Sequence, residues 1–270
     1  MKTTISFIVL AILALSLIIV SPAIAITWGE PDTDHTNVGA IIVEIPDYGP
    51  AMLCSGTLIT PNVFLTAGHC TNALAFYIYY FDLDSEDIHV TFDQNALNPS
   101  GWLTVADFQT HPDYGVSRSN PYDVGVLILS EPIGMEPAIL PDKGFLDELK
   151  KEGELRQGSN GADFTVVGYG GTLDWPPPVI TYQYQRQYAV SEYQALLKSW
   201  LRLSQNQATG DGGTCYGDSG GPAFWTEPDG TEILVGITSW GDAQTVATGF
   251  YYRVDTPDTL DFLEDVISGL

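Results

Sequence analysis

Lysine and arginine are scarce in this 270-residue sequence: there are 10, against 34 aspartates and glutamates, giving a formal net charge of -24 at pH 7. Such a surface repels phosphate backbones and anionic lipid, and no basic stripe is present on which a nucleic acid could lie. Long apolar runs are scarce too. Only Ile5 to Val20 approaches the roughly 18 to 20 residues that a membrane-spanning helix needs, and no later stretch does. Cysteine is limited to Cys54, Cys70 and Cys215, so the chain can close one internal disulfide at most. Histidine occurs only at positions 35, 69, 89 and 111.

The apolar run follows Lys2 and leads into Pro22 and the small-residue pattern Ala23-Ile24-Ala25. Together these read as a secretory signal peptide, residues 1–25, with cleavage after Ala25. A retained membrane anchor is the alternative, and Pro22 with the A-x-A box argues against it. A cut there makes Ile26 the first residue of a secreted, extracellular chain with no membrane attachment. About 245 residues then remain, enough for one large domain or two packed barrels. In an oxidising compartment, Cys54 and Cys70 bracket a loop whose closure is worth about 3 kcal/mol. Cys215 is then left as a buried, unpaired thiol.

Glycine and proline, 27 and 17 in number, punctuate short runs rich in Val, Ile, Thr and Tyr. GAIIVEI, TLITPNVFLTA, YDVGVLILS, DFTVVGYG, EILVGITSW and GFYYRV have the length and composition of strands in an all-β protein. Several are apolar throughout, which suits strands inside a closed sheet. The acidic run DLDSED (82–87) reads as a surface loop; its oxygens could meet a calcium ion, but no full calcium-loop motif is present. In residues 176–204, after three prolines, strands are expected around Tyr188 to Val190 and Trp200 to Ser204. Near the end Asp255 or Thr256 can cap a helix, with Pro257 in its first turn and Leu260, Leu263, Val266 and Ile267 at helical spacing. Pro132 to Pro141 is the expected connection between two halves.

Chemistry concentrates in two motifs. GDSGGP (217–222) sets Ser219 among glycines, which let the backbone approach a substrate and aim amide groups at a developing oxyanion. The string also matches the G-x-S-x-G elbow of α/β-hydrolases, but those place their histidine after the serine, and every histidine here precedes it. A serine needs a neighbouring base to become a nucleophile. His69 in LTAGHC is the candidate, beside Cys70; His111 in HPDY reads as structural. Asp123 in NPYDVGVLILS opens a buried strand, where a carboxylate is costly unless an imidazole N–H meets its charge.

TAGHC, an aspartate before a buried apolar strand, GDSGGP and then SWG, in that order, resemble the chymotrypsin/trypsin family of serine endopeptidases. The resemblance covers nearly all of the chain after residue 25. It implies two packed six-stranded antiparallel β-barrels and a C-terminal α-helix. Residues 26–137 would carry His69 and Asp123, and residues 138–270 would carry Ser219 and the closing helix. It implies a catalytic triad of His69, Asp123 and Ser219, with the amides of Gly217 and Ser219 as oxyanion hole. Ser239, Trp240 and Gly241 would hold the substrate main chain. No cofactor or metal is called for, and the partners are protein or peptide substrates met by a monomer. A new amine at Ile26 would pair with Asp218, although Ile26-Thr27-Trp28-Gly29 matches the family's usual start only in part. With signal cleavage itself making that amine, no separate zymogen stage is needed.

The specificity pocket departs from the trypsin-like pattern. Six residues before the nucleophile, where relatives that select Lys or Arg carry an aspartate, stands Gly213. Gly241 and Gly249 align with the family's small residues that keep the pocket open, and Thr214 would add polarity near its floor. A large apolar residue such as Phe, Tyr or Leu is the expected preference, with Asp211 or Asp242 as the alternative source of charge. Cys215 has no cysteine partner between Gly241 and Leu270. A binding protein that kept the barrels and lost catalysis is the rival reading, and such relatives lack one or more triad residues.

Overall fold

The computed structural model describes residues 26–158, 161–174 and 179–270. The first strand, β1 (Glu30–Pro31), is short. The next six are β2 (Val38–Ile45), β3 (Gly49–Thr60), β4 (Val63–Thr66), β5 (Ile88–Thr91), β6 (Trp102–Thr110) and β7 (Gly125–Leu129). They close an antiparallel barrel in the order β2-β3-β4-β7-β6-β5. β4 and β7 are buried at every position, as their uninterrupted apolar runs require.

The second barrel uses β8 (Asp163–Gly168), β11 (Gln187–Leu196), β12 (Trp200–Ser204), β13 (Pro222–Thr226), β14 (Glu232–Gly241) and β15 (Thr248–Arg253). Pairing of β11 with β8 closes it. Between them, β9 (Gly171–Asp174) and β10 (Val179–Tyr182) form a separate hairpin. The strands expected around Tyr188 and Trp200 are β11 and β12, while the three prolines at 176–178 lie outside the described residues. The architecture is two six-stranded antiparallel β-barrels with a C-terminal helix, as the sequence leads one to expect.

Two helices lie outside the elements expected from the sequence. A helix, α1 (Gly68–Phe81), follows β4 and carries His69 in its first turn. No helix is anticipated there because NALAFYIYYF is rich in strand-favouring residues and buries only Gly68, Cys70, Thr71 and Leu74 of the helix. A second, α2 (Phe145–Glu152), runs between Gly144 and Gly153, with acidic residues in its first turn and lysines in its last. The expected closing helix is α3 (Pro257–Ser268): Thr256, not Asp255, caps it by accepting the N–H of Thr259. Leu263 and Val266 are buried, and Ile267 faces outward. Asp255 instead pairs with Arg253 and accepts the N–H of Leu146.

Residues from Ile26 to Pro31 lie against the second barrel: Ile26 is buried in that barrel's core, Thr27 bridges Gly213, and β1 pairs with β11. The connection through Pro132 to Pro141 is tied to both barrels, since Ala138 donates to the Leu58 carbonyl and Leu234 donates to that of Ile139. In DLDSED, Leu83 is buried and Ser85–Asp87 forms a 3-10 turn. Asp84 and Asp87 cap that turn reciprocally, so these carboxylates already accept backbone N–H groups.

Candidate active site

Helix α1 begins at Ala67, which has no side chain able to cap. The free amide of His69 is met instead by a residue just ahead of the neighbouring strand β7, which pairs with β4: Asp123 Oδ1 accepts it at 2.8 Å. The same carboxylate faces the ring, with His69 Nδ1 at 3.0 Å from Oδ2 and 3.2 Å from Oδ1. Backbone and imidazole of one residue are thus fixed by one buried aspartate.

Asp123 is itself held under strain. Tyr122 before it adopts a left-handed φ of 52°, an outlier for a bulky side chain. His111 stacks on the Tyr122 ring, with centroids 4.8 Å apart, and its amide donates to the Val124 carbonyl. His111 is therefore a structural support, as read from HPDY. Burial alone would raise the Asp123 pKa. The hydrogen bond and charge of His69, the hydroxyl of Ser239 and the His69 amide outweigh it and hold the carboxyl below its ordinary value.

Ser239 reaches Asp123 because of a register shift. β14 and β15 pair Thr238 with Tyr251 and Trp240 with Phe250, and the shift between these pairs frees Ser239 to turn its hydroxyl onto Asp123 Oδ2. The sequence motif places Ser239 only along the substrate strand; its contact with Asp123 emerges from the fold. β13 ends opposite Ile237, leaving Ser239 to Gly241 unpaired on that side. Trp240 is 52 % exposed and stacks on Phe250 at 3.7 Å.

Ser219 packs against the first turn of α1. Its carbonyl accepts the amide of Ser55 at 2.8 Å and sits 3.7 Å from Sγ of Cys70, the neighbour of His69. Among the described residues its hydroxyl makes no hydrogen bond, so the link to His69 is open; catalytic hydrogen bonds commonly tighten only around substrate. The amides of Gly217 and Ser219 also donate to nothing among the described residues, and both are free for an oxyanion. Gly217 holds a φ of +98°, a conformation that glycine alone adopts freely. At Gly220 a Cβ would come within 2.0 Å of Thr66 Oγ1, so the loop can press against the first barrel only without one.

Ser55 is a residue that sequence reasoning missed. Its amide binds the Ser219 carbonyl, its hydroxyl donates to the Gly217 carbonyl at 3.0 Å and accepts from the Tyr169 amide at 3.1 Å. It comes right after Cys54, which is bonded to Cys70 as expected. Cys54, His69 and Cys70 lie within 4.8 Å of one another, but the joined sulfurs offer no thiolate to a metal.

A cavity of about 210 Å³ opens next to Ser219, lined by Thr214, Cys215, Tyr216, Thr238, Trp240 and Gly241 among others. Gly213 and Gly249, expected in that lining, do not reach it: the Gln205 side chain covers the first and the Tyr251 ring the second. Asp211 does not line it either. Asp242 does, yet its two oxygens already accept the amides of Gln244, Val246, Ala247 and Thr248. Cys215 is a buried free thiol 3.6 Å from Thr245 Oγ1.

In the intact chain Ile26 and Asp218 are not joined. The Ile26 amide donates to Gln187 Oε1 at 3.2 Å, while Asp218 accepts the amides of Gly170 and Cys215, each at 2.7 Å. Burial pushes the Asp218 carboxyl up to about 7, against the lowering effect of those two amides.

The Trypsin family profile matches residues 26–260. The chain belongs to the trypsin family. The trypsin of Saccharopolyspora erythraea is 28% identical over 231 residues, which is 82% of this chain and 88% of that protein. The trypsin-like protease of Streptomyces glaucescens is 29% identical over 219 residues, covering 76% of this chain and 72% of its own length. Venom serine protease 34 of Apis mellifera is 25% identical over 252 residues; the match takes in 79% of this trypsin-family chain but only 54% of the venom protein, about half its length. No helix among the described residues is long and apolar enough to cross a membrane.

Proposed function

We propose that this trypsin-family chain is an exported serine endopeptidase, released after Ala25 and working as a monomer on protein or peptide substrates. Ser219 Oγ attacks the scissile carbonyl as His69 Nε2 takes its proton. Asp123, bound at Nδ1, fixes the tautomer and meets the imidazolium charge, the order of events that serine endopeptidases of this family follow. The oxyanion settles on the amides of Gly217 and Ser219, each worth roughly 3 to 4 kcal/mol in comparable sites. His69 then protonates the leaving amine, and water repeats the steps on the acyl-enzyme. Substrate main chain adds along the free edge at Ser239 to Gly241 beside Trp240. The adjoining pocket, with no uncommitted carboxylate in its lining, suits a large apolar side chain.

The new amine at Ile26 would pair with Asp218. Two contacts support this reading. Gln187, which now accepts the Ile26 amide, is paired in register with Gly168. Gly168 in turn abuts the Asp218 carboxylate so closely that a Cβ there would lie 2.2 Å from Oδ1.

The observation that carries the proposal is the buried Asp123 gripping both the amide and the ring of His69. The test is hydrolysis of a peptide library by wild type and Ser219→Ala, with sulfonyl fluoride labelling of Ser219. Equal hydrolysis by the two proteins removes Ser219 from the mechanism.

A further inference from the structure

Gln205 follows β12 and tucks its side chain beneath the pocket; only 1 % of the residue is exposed. Nε2 donates to the Thr214 carbonyl at 2.7 Å and faces Thr214 Oγ1 at 3.3 Å. A carbonyl can only accept, so this contact fixes which end of the amide is nitrogen. Oε1 is left pointing elsewhere, buried and without a hydrogen-bond partner among the described residues.

The side chain fills the room that Gly213 leaves, where a Cβ would sit 2.2 Å from Gln205 Cγ. Oε1 lies 3.6 Å from the place a Cβ would take on Gly241, one of the lining residues. The orphaned acceptor therefore borders the space that a side chain on Gly241 would occupy, beside a lining residue that leaves this space empty. Thr238, also in the lining, carries a second buried hydroxyl with no partner. Buried polar groups are satisfied almost everywhere in proteins, and unmet ones at a cavity point to a ligand that meets them.

The donor that fits is neutral. A guanidinium or ammonium would be stripped of water to face one uncharged oxygen, because both Asp242 oxygens are taken by backbone amides. A phenol matches better, with an apolar ring for the walls and one hydroxyl for the acceptor. We propose that Gln205 is a specificity-determining residue that selects tyrosine over phenylalanine before the scissile bond by accepting the phenolic hydroxyl. This rests on the endopeptidase reading above.

The test is kcat/KM of the enzyme starting at Ile26 on peptides that differ only in Tyr, Phe, Leu or Arg at that position. Wild type should favour Tyr over Phe by roughly 10- to 100-fold, the size of one buried hydrogen bond left unmade. Gln205→Met should bring that ratio close to one, and Gln205→Glu should raise Arg hydrolysis by placing a carboxylate at the same point. Equal rates on Tyr and Phe in wild type, Arg preferred over Tyr in wild type, or an unchanged ratio in Gln205→Met each overturn the assignment. If Gln205→Met does not fold, as judged by loss of sulfonyl fluoride labelling at Ser219, the wild-type ratio and Gln205→Glu decide. An enzyme that is labelled and cleaves without preferring Tyr loses only this inference. One that neither is labelled nor cleaves any peptide loses the endopeptidase reading and this inference together.

Discussion

The hydroxyl of Ser239 donates to Oδ2 of Asp123, the same oxygen that faces Nδ1 of His69 at 3.0 Å. A residue of the second barrel thereby completes the shell of a carboxylate in the first, and docking of the barrels and orientation of the imidazole become one event. With the His69 amide as a third donor, the buried charge is met by three hydrogen-bonding groups.

Replacing Asp123 by Asn keeps the shape and reverses one donor. The amide nitrogen then faces Nδ1, the imidazole takes the other tautomer, and Nε2 can no longer accept the serine proton. Peptide hydrolysis should fall in kcat by about 10⁴-fold, the order of loss that the wrong imidazole tautomer imposes on a Ser-His-Asp triad. Steady-state kinetics with an unchanged circular dichroism spectrum would check it; retention of a tenth or more of wild-type kcat would contradict the orienting role.

Ser55→Ala removes one hydroxyl and leaves two groups unmet, the Gly217 carbonyl and the Tyr169 amide. Each unmet buried group costs about 1 to 3 kcal/mol. The Gly217 peptide is part of the proposed oxyanion site, so kcat should drop while KM stays near wild type. Loss of stability with kcat intact would make Ser55 a purely structural clamp.

The order of motifs made the barrels, the triad candidates and the Cys54–Cys70 bond legible, because each rests on a local string. What stayed hidden is non-local. Ser239 turns to Asp123 only through a bulge between β14 and β15, and Gln205 packs against Gly213 only because that residue has no side chain. Helix α1 was obscured for a different reason: Phe76, Tyr79 and Tyr80 are 58 %, 87 % and 68 % exposed, so its aromatic residues show no apolar stripe to read. Helix α2 is the opposite case, with charge order and a following Gly153 that do signal a helix.

His35 clasps the N-terminal segment to β14. Its Nδ1 lies 2.9 Å from Asp32 Oδ1, its Nε2 lies 3.2 Å from Glu232, and the ring stacks on Phe224. Burial would lower its pKa, but the two carboxylates win and raise it to about 9 from 6.5. A raised histidine contributes stability that is full below the unfolded value and fades as pH rises through the folded one. In a Ser219→Ala background that prevents self-digestion, His35→Gln should cost on the order of 2 kcal/mol at pH 6, after discounting for the solvent around Glu232. The part of that cost due to the imidazolium charge should vanish above the folded pKa. Denaturant titrations at the two pH values measure it; a cost that does not change with pH would assign His35 to packing alone.

Asp218 gives the sharpest test of the Ile26 proposal, since the two states of the amine predict opposite pH behaviour. With the amine blocked, the folded carboxyl holds its proton up to about 7, while the unfolded one releases it near 3.8. Between those values the folded state binds more protons than the unfolded, so stability must fall as pH rises, by on the order of a few kcal/mol. A free Ile26 ammonium beside Asp218 favours the charged carboxylate and abolishes that decline. Its own pKa rises in return, which moves the loss of stability to pH values above the ordinary amine value of about 8. Chains starting at Ile26 with the amine free or acetylated, both carrying Ser219→Ala, should therefore differ most in denaturant midpoint near pH 7 and least near pH 4. Parallel curves from pH 4 to pH 8 would mean that the amine never reaches Asp218, and that Ile26 serves only to fill the core of the second barrel.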